Sequence, residues 1–194
     1  MSTDRQGQGD GGEPGMVGSR HVFRGRTVDL SVDTVRFPNG STGELDMIRH
    51  PGAAAILPVL SDLSSADPVV VLIRQYRYAS GGYLYEVPAG KRDDPAHSWD
   101  DVARRELEEE TGLVAGTLRY LTAIYTAPGF TDERIHLYVA SDLTAGAVQH
   151  EADEFIETVR LPLSRALEMV RDGEITDAKT MCTLLYAAGF VFGP

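Results

Sequence analysis

A chain of 194 residues with 42% hydrophobic and 24% charged residues has the composition of one ordinary globular domain, which excludes collagen-like and wholly disordered classes. Its formal net charge of -11 repels nucleic-acid backbones and anionic membranes and argues against both as partners, whereas a bound divalent cation would still let it take a phosphate substrate. The single cysteine, Cys182, excludes an intrachain disulfide and a cysteine-rich zinc site, and its apolar surroundings, TMCTLLY, predict that it is packed. No apolar run approaches the roughly 20 residues that span a bilayer, and the N-terminus lacks the apolar core of a secretory signal, which implies a cytoplasmic location.

Residues 1–19 are rich in Gly, Gln, Asp and Ser and are expected to form a disordered tail, because so little apolar surface cannot offset the entropy of ordering. From Val22 to Arg49 the chain alternates through RTVDLSVDTVRF, turns at Pro38-Asn39-Gly40 and resumes through ELDMIRH, the pattern of a hairpin that buries little by itself. The segment 20–52 is therefore set apart from a main domain over 53–194. Ala53–Leu60 and Val69–Tyr76 are apolar runs that predict buried strands, with a third short strand at Leu84–Pro88. Ser98 as N-cap, Asp101 three residues later and Gly112 as the stop predict a helix through WDDVARRELEEET. Strands at Arg119–Tyr125, Arg134–Ala140 and Glu157–Leu161 follow, with helices at Leu163–Arg171 and Asp177–Ala188. Mixed elements without a regular strand-helix-strand repeat predict an α/β fold, a mixed sheet flanked by helices.

Chemistry concentrates on the first helix. Glu106 to Glu109 is an i,i+3 step and Glu106 to Glu110 an i,i+4 step, so three carboxylates can converge on one edge, where their repulsion is relieved by a divalent cation. Hard oxygen ligands suit Mg²⁺ or Mn²⁺. Arg105, four residues before Glu109, can orient it by a charge-assisted hydrogen bond.

In this region the chain resembles the Nudix hydrolase family, whose box reads G-x5-E-x7-R-E-U-x-E-E-x-G-U with U aliphatic. Arg105, Glu106, Leu107, Glu109, Glu110, Gly112 and Leu113 fall in register with its second half, and Val87-Pro88-Ala89-Gly90 resembles the strand that leads into it. The first half departs: Gly90 precedes Arg105 by fifteen residues instead of fourteen, and no glutamate fills the remaining position, where His97 stands with Asp93 and Asp94 nearby. The resemblance implies the Nudix fold, and cation binding by Glu106, Glu109, Glu110 and the Ala89 carbonyl.

Pro128, sixteen residues after Gly112, and the runs RHPGAAAILPV, VLIRQYRYA, YEVPAG, YTAPGFTDERIHLY and GEITDAKT resemble the ADP-ribose pyrophosphatase subset of that family. The likeness covers about Val22 to Ala188. It implies Mg²⁺-dependent hydrolysis of the pyrophosphate of ADP-ribose. It also implies substrate contacts at Arg77, Glu86, Pro128, Gly129 and Phe130, and a homodimer in which Arg49 recognises the nucleotide of the other subunit. An aromatic often found near Val28 to stack the adenine is absent, which leaves Phe23 or Phe37 as substitutes or a looser base preference. The catalytic base is implied within HEADEFIE, where Glu154 aligns as a metal-linked carboxylate. The usual base position holds Ala152, which leaves Glu151 or Asp153. Two alternatives stand beside this reading: hydrolysis of another nucleoside diphosphate sugar such as GDP-mannose, and a sensor that binds ADP-ribose without cleaving it.

Overall fold

The computed structural model describes residues 12–149 and 155–192 and divides into two units, Met1–His50 with Ala127–Glu133, and Pro51–Thr126 with Arg134–Pro194. The smaller unit is an antiparallel sheet of β1 (Gly15–Arg24), β2 (Asp29–Arg36) and β3 (Thr42–Arg49) in the order β1-β2-β3. The β2–β3 turn closes where Pro38-Asn39-Gly40 predicts it: Phe37 N–H donates to the Ser41 carbonyl at 2.8 Å and the Asn39 side chain accepts from the Ser41 backbone at 3.0 Å. Two expectations change. The region is a three-stranded sheet rather than one hairpin, and β1 begins at Gly15, inside the segment expected to be a tail through Ser19. Pairing of β1 along the full length of β2 gives partners to the backbone groups of β1 that face β2 without requiring an apolar side-chain pattern. The buried positions of β2 are polar, Ser31 and Asp33, and Asp33 is stabilised there by a 2.6 Å hydrogen bond from Ser19 and an ion pair with Arg49.

In the larger unit, β4 (Ala53–Pro58), β7 (Ala89–Lys91), β8 (Leu113–Tyr125) and β9 (Arg134–Ala145) form a mixed sheet in the order β7-β4-β9-β8, with β4 parallel to β9. β5 (Val69–Arg77), β6 (Gly82–Glu86) and β10 (Ile156–Pro162) form an antiparallel sheet in the order β10-β5-β6. The expected mixed sheet is present, and the antiparallel sheet is linked to it by a bridge between Val59 and Val70. Helices α1 (Trp99–Thr111), α2 (Leu163–Arg171) and α3 (Ala178–Phe190) complete the unit.

β4 explains the layering. Every residue of AAAILP is buried, and successive side chains point to opposite faces. Ala53, Ala55 and Leu57 share a core with Leu163, Ala166 and Met169 of α2 and Leu184 and Ala187 of α3. Ala54 and Ile56 pack with Val102, Ala103 and Leu107 of α1. The sheet is therefore covered by helices on both faces, as the mixture of elements predicts.

α1 carries the capping box that Ser98 and Asp101 imply, each side chain bonding the other's backbone N–H, and stops at Gly112 in the left-handed conformation with φ 68°. β8 and β9 run longer than expected because they pair from Leu113↔Ala145 to Tyr125↔Arg134, so long-range pairing extends them through residues of low strand propensity such as Gly116. Cys182 is exposed rather than packed, since the buried stripe of α3 runs through Thr180, Thr183, Leu184 and Ala187. Among the described residues no helix is long and apolar enough to cross a membrane.

Candidate active site

Strand β7 lies against α1 at one point of very close approach. A Cβ on Gly90 would stand 2.1 Å from the Glu106 carboxyl carbon, so only a residue without a side chain lets that carboxylate rest on the strand. One helical turn further on, Glu110 accepts a hydrogen bond from the Ala89 backbone N–H at 3.0 Å. Both carboxylates are buried, Glu106 at 8% and Glu110 at 3% exposure, so these two motif positions face inward with Leu107.

Arg105 binds this cluster from its outer side. Its guanidinium meets Glu106 at 2.8 Å and Glu109 at 3.2 Å, and donates to the Lys91 carbonyl at 3.0 Å. The predicted orienting contact to Glu109 is therefore present, and a second one, to Glu106, accompanies it. Glu109 pairs with Arg105 and is less buried than Glu106 and Glu110. Among the described residues no three Asp, Glu, His or Cys side chains by themselves form a group that could hold a cation. The donor chemistry still fits a divalent ion: two buried carboxylates face the backbone of Ala89 and Gly90, where a Cβ would intrude, and all the donors are hard oxygens. His97 is exposed in the loop before α1.

At the end of β5, Arg77 forms a two-pronged ion pair with Glu86 of β6, Nε to Oε1 at 2.7 Å and the Nη2 nitrogen to Oε2 at 2.9 Å. Glu86, expected among the substrate contacts, is 1% exposed, and Lys179 of α3 also donates to its Oε2. Both of its oxygens are thus held by cations. Burial alone would raise the Glu86 pKa, but the hydrogen bonds and charges of Arg77 and Lys179 outweigh it and hold the carboxyl below the usual glutamate range. Lys179 meets Asp177 at 3.1 Å, and Asp177 caps α3 by accepting from the Thr180 backbone at 2.9 Å and hydroxyl at 2.6 Å. Thr180 Oγ1 in turn accepts from the Val87 N–H at 2.8 Å. The first turn of α3 therefore grips both the Glu86 side chain and the strand that leads into Ala89 and Gly90.

Sequence reasoning singled out Arg77 and Glu86 but not Asp177, Lys179 or Thr180. The Asp-x-x-Thr spacing is a readable cap signal, but the partner of Lys179 lies 93 residues away. Arg49, Pro128, Gly129 and Phe130 belong to the smaller unit. There Arg49 pairs with Asp33 and, at 3.4 Å, with Asp132, and the Phe130 carbonyl accepts from Ile48 at 2.8 Å. Pro128, Gly129 and Phe130 are exposed. Glu151, Asp153 and Glu154 lie outside the described residues. The chain before them is held to the end of α1, with Gln149 N–H donating to the Glu109 carbonyl at 2.9 Å, and the chain after them joins β5, with Ile156 opposite Gln75.

The NUDIX domain family matches residues 49–184. The chain is 35% identical over 175 residues to the ADP-ribose pyrophosphatase of Bacillus subtilis (strain 168), a match covering 88% of this chain and 90% of that one. It is 37% identical over 175 residues to the methanol dehydrogenase activator of Bacillus methanolicus, with the same coverage of 88% and 90%. A solved structure described as an ADP compounds hydrolase superposes with a TM-score of 0.77 over 92% of this chain and 94% of the other; at 24% identity it shows the fold. With the second half of the motif in register on α1 and the family matching most of its length, the chain belongs to the Nudix hydrolases.

Proposed function

We propose that the protein hydrolyses the pyrophosphate of ADP-ribose to AMP and ribose 5-phosphate with Mg²⁺ as its cofactor. The observation that carries this reading is the pair of buried carboxylates, Glu106 and Glu110, held against the Gly90 backbone in a chain akin to an ADP-ribose pyrophosphatase. Glu106, Glu110 and the Ala89 carbonyl would hold the cation, with Glu109 completing the set. When bound, it supplies charge neutralisation at the pyrophosphate and acidifies water. Arg77 presents its guanidinium to a phosphate, a contact for which its planar fork is suited. Arg105 orients Glu106 and Glu109 through its ion pairs with them. A carboxylate among Glu151, Asp153 and Glu154 takes a proton from water as the water oxygen bonds to phosphorus and the bridging P–O bond breaks.

The same reading makes the protein a homodimer. Residues 20–52 serve the pairing, with the Nudix domain in 53–194. Arg49 recognises the nucleotide held by a second copy, and Pro128, Gly129 and Phe130 line the substrate. The outward side chains of β1 support this, Met16 at 64% and Phe23 at 55% exposure, since a small sheet with bare apolar side chains gains from a partner.

The experiment is a panel of nucleoside diphosphate sugars with Mg²⁺, read as phosphate release after phosphatase coupling. ADP-ribose is expected to be turned over fastest. A clear preference for GDP-mannose would move the substrate to the runner-up, and tight binding of ADP-ribose without turnover would make the protein a sensor.

A further inference from the structure

We propose that Lys179 is a positioning residue: by sharing the Glu86 carboxylate with Arg77, it fixes the direction in which the Arg77 guanidinium is offered to substrate phosphate. The inference rests on the reading above that Arg77 holds that phosphate.

Lys179 occupies an unfavourable place. Its side chain is 13% exposed, where an unpaired ammonium is costly, and it sits in the first turn of α3, where the helix dipole disfavours a cation. Glu86 and Asp177 compensate both penalties. Buried ion pairs seldom stabilise a fold more than apolar residues of the same volume would, so fold stability alone does not account for a lysine here.

Orientation does. The Nε and Nη2 edge of Arg77 is taken up by Glu86, its Nη1 group makes no hydrogen bond among the described residues, and its side chain is 41% exposed. The direction of that remaining edge is set by the plane of the Glu86 carboxylate. A carboxylate gripped by Arg77 alone could turn with it, whereas one also held by Lys179 cannot. Lys179 is anchored in turn, because Asp177 caps α3 and Thr180 bonds the Val87 backbone. The four charges of Arg77, Glu86, Asp177 and Lys179 cancel, so the cluster is neutral.

The test is a double-mutant cycle of Lys179→Met and Arg77→Ala, with Lys179→Arg as the conservative variant, read as KM and kcat on the nucleoside diphosphate sugar that the panel shows to be turned over. Lys179→Met is expected to raise KM about tenfold with kcat within about threefold of the parent, Lys179→Arg to restore most of the loss, and Lys179→Met to add less than about twofold when Arg77 is already Ala. Should Lys179→Met fail to fold by circular dichroism, Lys179→Gln, which keeps a donor for Glu86, takes its place in the cycle. An unchanged KM in the single variant, or a full additional loss in the Arg77→Ala background, overturns the role of Lys179 while leaving the function standing. A drop in melting temperature with KM unchanged would reduce Lys179 to a structural ion pair. If Arg77→Ala itself leaves KM unchanged, or nothing in the panel is turned over, the reading of Arg77 fails and takes this inference with it. If GDP-mannose replaces ADP-ribose as substrate, the cycle on GDP-mannose still decides the matter.

Discussion

Gly90 and Glu106 show how one missing side chain places a functional one. Because the obstructing atoms are the far end of the Glu106 side chain, Gly90→Ala is expected to move the carboxylate rather than the backbone. It should cost no more than about 1 kcal/mol of stability by denaturant titration yet lower kcat by at least about tenfold, a dissociation of stability from activity that a purely structural glycine would not give. Glu106→Gln and Glu110→Gln keep the shape of the buried side chains while removing the charge, and each should lower kcat by about a hundredfold or more with circular dichroism unchanged. The motif residues were legible from spacing alone, since R-E-x-x-E-E on a helix fixes which carboxylates are neighbours. Their burial was not. It depends on β7, whose pairing with β4 through Ala54↔Gly90 and Ala55↔Ala89 is a long-range choice that no local pattern encodes.

Among the elements, α1 was readable to the residue because its signals are local: N-cap, capping box and left-handed glycine all lie within its own segment. Ser98→Ala should accordingly cost about 1 kcal/mol by thermal or denaturant melting, with little change in KM. β8 and β9 were placed but drawn short, because their ends are stabilised by each other rather than by their own composition. The link from β5 and β6 to the first turn of α3 was invisible, as it joins Glu86 to Lys179 across most of the domain. It has a pH signature. The Glu86 pKa is depressed in the folded protein, so its contribution to stability is complete above the ordinary glutamate pKa and is lost as pH falls through the lowered value. Melting temperature followed from about pH 7 to about pH 3 should therefore fall less steeply in Glu86→Gln than in the parent, from a lower starting value. Parallel acid limbs in the two proteins would show that the carboxyl is not held ionised by its cations.

For the whole molecule, composition bounded the class, alternation and caps located most elements, and the helical motif carried the family. The division into two units was only partly legible. Ala127–Glu133 joins the N-terminal sheet through the bridge of Ile48 with Thr131, a return of the chain across some eighty residues that a linear reading cannot follow. If the exposed side chains of β1 are covered by a second copy, light scattering should give twice the chain mass, and Arg49→Ala should raise KM without shifting that mass. A fully active monomer would remove the intersubunit role of Arg49. In the proposed function the two buried carboxylates of α1 serve metal-dependent cleavage of a pyrophosphate. The measurement that bears on it most directly is chromatographic detection of AMP from ADP-ribose with Mg²⁺, for the parent and for Glu106→Gln at equal concentration. AMP and ribose 5-phosphate in equal amounts from the parent, reduced about a hundredfold or more in the variant and abolished by chelation, is the predicted result. AMP released equally by both proteins, or by neither, would remove that role from the carboxylates.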